Sequence, residues 1–554
     1  MRAMNMNKTI SMARLLLATV VALWLAAAAH ATAPGMTATD GTAGTFNLTA
    51  QAAYITQPDG QAVYSWGYGC VTGSTPAFRP TNLSLAAFCS EMQVPGPTLI
   101  VTEGATVTVN LTNNLPAAAG NTSIIFSGFT LTSVSGGIAG LMTQEAAPSG
   151  TVQYKFVAST PGTHAYYSGT QGDLQIEMGL YGAIIVLPAT VPSQCTAAGS
   201  FGAKNVAAEG HWGELDYRLA AAAYDNPKTC YDREYLFQFS EIDPTIHKKA
   251  EQQVSATAAA CLANGAGSAG CSLEVPTEPY HPSYFLINGR SMPDDMDPNY
   301  ATEYPHQPYN GDPHMHPGEQ VLVRVIGQGR WQHPFHEHGN HVRILGRDGN
   351  LILAPDGSSL AGPLLFTTTT TPGVAFDGIF YWTGKGLHWD AYGHKPSSST
   401  NDPNAMLPCS PDANGYNTGD PNALNYYEWC QDHNKPLEVA PFGDVASGGP
   451  ATLPDPNLFT NGAWYSGSPY LGPDATSRAT AGTCTGSNNT TSCSTTGTTP
   501  PSGTIANSPS SEAGYAFMWH SHNEREITTN NVFPGGMLMM MLVDSREFVI
   551  DETN

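Results

Sequence analysis

Apolar positions along the chain fall in short runs with a period of two. "GPTLIVTEGATVTVNLTNNLP" (Gly96–Pro116) alternates apolar and polar residues around a Glu-Gly turn and stops at an Asn-Asn-Leu-Pro loop. Such alternation predicts strands with one buried face, bounded by turn residues. "TVQYKFVASTPGTHAYYSG" repeats the style, and "GLYGAIIVLP" (Gly179–Pro188) reads as a fully buried strand. One β-sandwich or barrel is expected over 43–190. A second unit, 205–310, has "YLFQFSEID" and "YFLINGRSM" as its clearest strands and a helical insertion over Lys248–Leu262. A third unit, 311–550, places "GEQVLVRVIGQG" and "HVRILGRDGNLIL" around "WQHPFHEHGN" and ends in "GYAFMWHSH" and "GGMLMMMLVD". Within it, 390–512 is an insertion whose Ser466–Glu512 part is rich in Gly, Ser, Thr and Pro, a surface suited to a protein partner.

Length and composition agree with this pattern. At roughly 100–200 residues per domain, 554 residues suit about three domains. With Gly 57, Pro 42 and only 12% charged residues, the chain suits many short strands joined by turns, an all-β class. A net charge of -23 repels phosphate backbones, so nucleic acid is not an expected partner. Residues 1–31 read as a signal peptide: Arg2, Lys8 and Arg14, then an apolar run Leu15–Ala29, then "AHA". Export to a periplasmic or extracellular space follows, with no membrane span after cleavage. The ten cysteines are even in number and fall into nearest neighbours along the chain, so five short-range disulfides are expected.

The candidate chemistry lies in histidines. "HPFHEHGNH" carries His333, His336, His338 and His341, and "MWHSH" carries His520 and His522. On a strand, residues two apart share a face. His336 with His338, and His520 with His522, would deliver four imidazoles to one volume if their strands are neighbours. Such a set suits copper, zinc, iron or nickel. Met537, Met539 and Met541 share a face and read as core. His314 and His316 read as a solvated turn, and Glu524 and Glu526 as partners of Arg525 or of water.

These motifs resemble those of the multicopper oxidases. "HPFHEHG" followed by "VRILGRDG" is similar to their third-domain His-Pro-x-His-x-His-Gly, and "MWHSH" to their C-terminal His-Cys-His. "VPGPTLIVTEGATVTVNLTNNLP" and "GLYGAIIV" resemble the two ends of their first domain. The resemblance implies three cupredoxin-like Greek-key sandwiches. It implies His333 as a type 1 copper ligand, His336 as a type 2 ligand, and His338, His520 and His522 as type 3 ligands.

The sequence departs from the pattern at each remaining ligand. Ser521 stands where the type 1 cysteine would be, and a hydroxyl cannot replace a soft thiolate. Glu526 stands at the second type 1 histidine. Ile125, Ser127, Tyr167 and Gly169 stand at the four first-domain histidines, and His164 points to the opposite face by parity. The expectation is an exported multicopper-oxidase-like protein with a reduced metal site at His333, His336, His338, His520 and His522. Copper is the first choice, with fewer than four ions, and zinc the second. Turnover, if present, would be an atypical oxidoreductase reaction. The competing expectation is an inactive pseudo-oxidase that acts as a secreted binding or structural protein.

Overall fold

The structure is a computed structural model, and it describes residues 33–80, 89–196, 216–384, 410–419, 467–471, 505–506, 514–544 and 550. The signal segment and most of the 390–512 insertion lie outside the described residues.

The first sandwich spans 35–187. One sheet pairs β1 (Thr45–Thr56), β2 (Ala62–Cys70), β3 (Thr106–Asn113) and β4 (Thr151–Val157) in the order β2-β1-β3-β4, with Leu131–Gly136 at the edge. The alternation seen in sequence sets its register. Val107, Val109 and Leu111 of β3 lie opposite Phe156, Tyr154 and Val152 of β4, and all six are buried. The facing sheet contains β5 (Gly162–Tyr167) and β6 (Tyr181–Leu187). β6 is buried along its whole length, as its unbroken apolar run requires.

The second sandwich begins at β7 (Arg233–Ile242), which is buried throughout. α1 (Pro244–Asn264) follows, capped by Asp243, whose carboxylate accepts from the Thr245 N–H at 2.8 Å. β8 (Tyr284–Ile287) and β9 (Gln320–Gly327) flank β7 in the same sheet, β8 antiparallel and β9 parallel. Beyond them come β10 (His333–Glu337), β11 (Val342–Arg347), β12 (Thr367–Thr370), β13 (Ala375–Tyr381), β14 (Gly514–Ser521) and β15 (Leu538–Asp544). β7, β8, β9, β11 and β13 share one sheet, and β10, β12, β14 and β15 share the other.

The all-β, cupredoxin-like architecture therefore stands, but the described strands pair in two sandwiches. The strands of the expected second unit join sheets with those of the expected third, and the 310/311 division is not a sheet boundary. The cause is the parallel β7–β9 ladder between Arg233–Phe239 and Val321–Gly327. Periodicity marks strands, not which distant strand they pair with.

Buried polar and apolar contacts join the two sandwiches. Leu236, Ile326 and Ala375 pack against Ile100, Ala183 and Ile185. Beside them, Asp377 accepts from the Thr163 backbone N–H at 3.0 Å and from the Tyr224 hydroxyl at 2.6 Å, and Arg324 bridges Asp377 and Glu234. Three of the expected disulfides are present: Cys70–Cys89, Cys195–Cys230 and Cys261–Cys271. The other four cysteines lie outside the described residues. Met537, Met539 and Met541 are core residues, as expected. No helix among the described residues is long and apolar enough to cross a membrane.

Candidate metal centre

β10 and β14 are antiparallel neighbours, with His336 directly opposite His520, Phe335 opposite Ser521 and Glu337 opposite Trp519. Strand parity then sorts the side chains. His333, Phe335 and Glu337 turn into the core, and His336 turns the other way. Trp519 and Ser521 are buried as well. His338 is anchored from beneath, where its carbonyl accepts from the Trp519 indole N–H at 2.9 Å.

On the outer face, four imidazoles converge. Ring centroids of His336 lie 4.8 Å from His338, 5.4 Å from His520 and 4.8 Å from His522. His338 and His520 bring their Nε2 atoms to 3.3 Å. That is close to the ligand–ligand spacing of about 3.3 Å that a tetrahedral ion with bonds of ~2.0 Å demands. The ligand atoms of His336, His338 and His520 all lie within 4.8 Å of one another. His522 completes the ring of imidazoles from an exposed position.

Neighbouring groups orient the rings. The His520 Nδ1–H donates to the Ser521 carbonyl at 2.6 Å, which turns its Nε2 toward His338. The His336 Nδ1 meets the Thr367 hydroxyl on β12 at 2.6 Å. Such second partners fix the tautomer and direction of a ligating imidazole. Burial, then His338, His520 and His522, push the His336 ring down to about 4. Burial chiefly lowers His520 too. Both rings are therefore neutral at ordinary pH, the form that ligates metal. The donor set fits a copper or zinc ion.

The inner face is different. His333 is fully buried, with Nε2 3.0 Å from Glu241 Oε2 and Nδ1 2.9 Å from Glu526 Oε2. Burial opposes its charge, but the hydrogen bonds to Glu241 and Glu526 outweigh it and raise the ring to about 9. The Ser521 hydroxyl donates to the same Glu526 oxygen at 2.5 Å, and Asn523 Nδ2 donates to Glu526 Oε1 at 2.8 Å. Glu241 Oε1 accepts the Arg330 and Trp331 N–H groups at 2.7 and 2.8 Å. The network continues through the Tyr280 hydroxyl, 3.1 Å from Glu241 Oε1 and 2.6 Å from Glu177 Oε2, into the first sandwich.

These residues do not fit a type 1 copper. A hydroxyl and a carboxylate replace the thiolate and one imidazole, and both nitrogens of His333 are engaged by carboxylates. The structure thus brings His336, His338, His520 and His522 together and sets His333 apart from them. Glu526 is neither a partner of Arg525 nor solvated, since it closes the clamp on His333. His314 and His316 also differ from expectation. Both are buried, with His314 Nδ1 2.5 Å from Asp544 Oδ2 and His316 Nδ1 3.0 Å from the Asp544 carbonyl. Asp544 sits far along the chain, beyond the reach of local reading.

The first-domain positions have closed over. Ile125 pairs with Tyr167 across the sheet, and a Cβ at Gly169 would meet Ile125 Cγ1 at 2.7 Å. Ser127 Oγ donates to the Gly373 carbonyl at 3.3 Å. His164 is buried beside Phe129, its ring 4.5 Å away, and its Nε2 lies 3.1 Å from the Thr160 carbonyl.

Residues 80–190 match the family described as Multicopper oxidase. Over these residues the chain is similar to the multicopper oxidases. It is similar to Multicopper oxidase MCE of Talaromyces pinophilus, 36% identical over 98 residues, which is 17% of this chain and 15% of that protein. It is also similar to Laccase abr2 of Aspergillus fumigatus, 32% identical over 111 residues, 20% of this chain and 18% of that one. The match thus spans less than a fifth of either curated relative. Among solved structures, it resembles a Blue Copper Oxidase from Nitrosomonas europaea (13% identical, 90% of this chain and 85% of that one, TM-score 0.42). Glu241, Thr367 and Phe366 surround the histidines, and sequence reading did not single them out. Glu241 lies 92 residues before its partner His333, and no spacing rule points to it.

Proposed function

We propose that this chain is an exported multicopper-oxidase-like protein with a reduced copper site held by His336, His338 and His520, with His522 beside it, and no type 1 electron-entry site. The observation that carries the reading is the contrast across β10: imidazoles converging outside, with His338 and His520 Nε2 atoms 3.3 Å apart, and a carboxylate-clamped His333 inside. Copper bound there would supply redox and Lewis-acid chemistry toward a small oxygen species; zinc would supply only the latter. The chain's own residues hold the site: Thr367 and the Ser521 carbonyl orient two rings, and Trp519 anchors the His338 backbone. With no thiolate relay, a four-electron oxidase cycle is not expected. Any turnover would be an atypical oxidoreductase reaction in which the substrate reaches the site directly.

The second reading is a pseudo-oxidase that acts by binding alone. The closed first-domain face, with Ile125 packed over Gly169, favours it. The insertion over 390–512 is its proposed protein-binding segment. Chelation separates the two readings. A metal-holding site predicts loss of thermal stability when EDTA strips the purified protein and recovery on adding Cu²⁺. A melting curve indifferent to both treatments leaves the binding-protein reading.

A further inference from the structure

Beside the histidine cluster lies a cleft of about 330 Å³, within the range of small-molecule sites. Part of its wall is apolar, with Leu345, Leu360, Leu364 and Ile379 along β11, β13 and the segment between them, and Gln320, Asn340 and Tyr381 line another part. Two cations, Lys228 and Arg343, also line it, and no carboxylate does among the described residues. Arg343 Nη1 donates only to the Gly362 carbonyl at 2.8 Å, and Lys228 Nζ reaches only the Ser359 hydroxyl at 3.4 Å. Neither cation has a carboxylate partner among the described residues. In a chain of net charge -23, two cations without anionic partners among the described residues in one part-apolar cleft form a local reversal of sign.

The cleft also adjoins the imidazoles. His341 lines it, its ring centroid 4.9 Å from Phe366, and Phe366 is in turn 5.7 Å from His336. Phe366 and Leu364 are exposed, 44% and 52%, which leaves an apolar rim between cleft and cluster.

We propose that this cleft binds a small organic acid, a carboxylate carried on an apolar body. Arg343 offers the planar fork that carboxylates match, Lys228 adds a mobile charge at the rim, and the leucines and Ile379 take the body. The binding stands independently of the metal. The test is therefore calorimetric titration of the metal-stripped full chain with benzoate, benzyl alcohol and inorganic phosphate. Benzoate should bind, and benzyl alcohol and phosphate should each bind at least about tenfold more weakly, the scale of one charge-assisted contact or one buried apolar group. Arg343→Gln should weaken benzoate by about tenfold, and Lys228→Gln, at an exposed position, by a smaller factor. Circular dichroism establishes that each variant is folded; should Arg343→Gln fail that check, Lys228→Gln carries the test. Absence of benzoate binding, equal binding of benzoate and benzyl alcohol, phosphate binding as tightly as benzoate, or an affinity unmoved in the folded variants would each overturn the proposal.

Discussion

His333 and His336 are three residues apart on one strand, yet their surroundings drive them to opposite protonation states. His336 sits among other imidazoles and is pushed down to about 4; His333 sits between two carboxylates and is raised to about 9. The difference comes from parity. One face of β10 meets the imidazoles of β14, and the other meets Glu241 of β7 and Glu526 of the turn after β14. The same residue type thus becomes a candidate metal ligand on one side and a buried cation on the other. A proton and two carboxylates occupy the position that the family resemblance assigns to a type 1 copper.

The comparison breaks most sharply if the outer face is emptied. His338→Ala combined with His520→Ala should abolish metal retention, read by mass spectrometry, while the fold survives by circular dichroism. Metal content equal to the parent would show that the ion sits elsewhere. Next in size is the inner face. Glu526→Ala leaves His333 charged and half-clamped in the core, so denaturant unfolding should show a loss of roughly 3–5 kcal/mol. Metal content should not change.

The sign of the pH dependence sharpens the same contrast. The folded His333 pKa lies above the ordinary value, so the clamp's stabilisation is fully present below about pH 6.5 and is lost as pH rises through about 9. The stability gap between parent and Glu526→Ala should therefore shrink from pH 7 to pH 10. A gap that widened would mean His333 is neutral in the fold. The smallest effect is expected at Ser521. Ser521→Cys alone, with copper added, should give no intense band near ~600 nm, because Glu526 still holds the second-histidine position and Glu241 still engages His333. An intense band there would show that the clamp yields to a metal.

The outer face was legible in the sequence for a simple reason. His336, His338, His520 and His522 announce themselves by spacing of two, and only strand adjacency had to be supplied. The inner face was not legible, because Glu241 comes from another sheet and Glu526 reads as an exposed charge beside Arg525. Strands were legible where alternation was clean, as in β3 and β4, or where the run was wholly apolar, as in β6. Their grouping was not. The β7–β9 ladder merges two expected units, and nothing in either strand's pattern names its parallel partner. His314 and His316 failed the same way, since Asp544, which meets both, comes 230 and 228 residues later in the chain.

The most direct test of the account is metal content with an absorption spectrum, on protein purified from its native compartment without added metal. One or two copper ions per chain, with no intense band near ~600 nm, is the predicted result. A metal-free protein that takes up neither copper nor zinc, or an intense thiolate-type band, would contradict it.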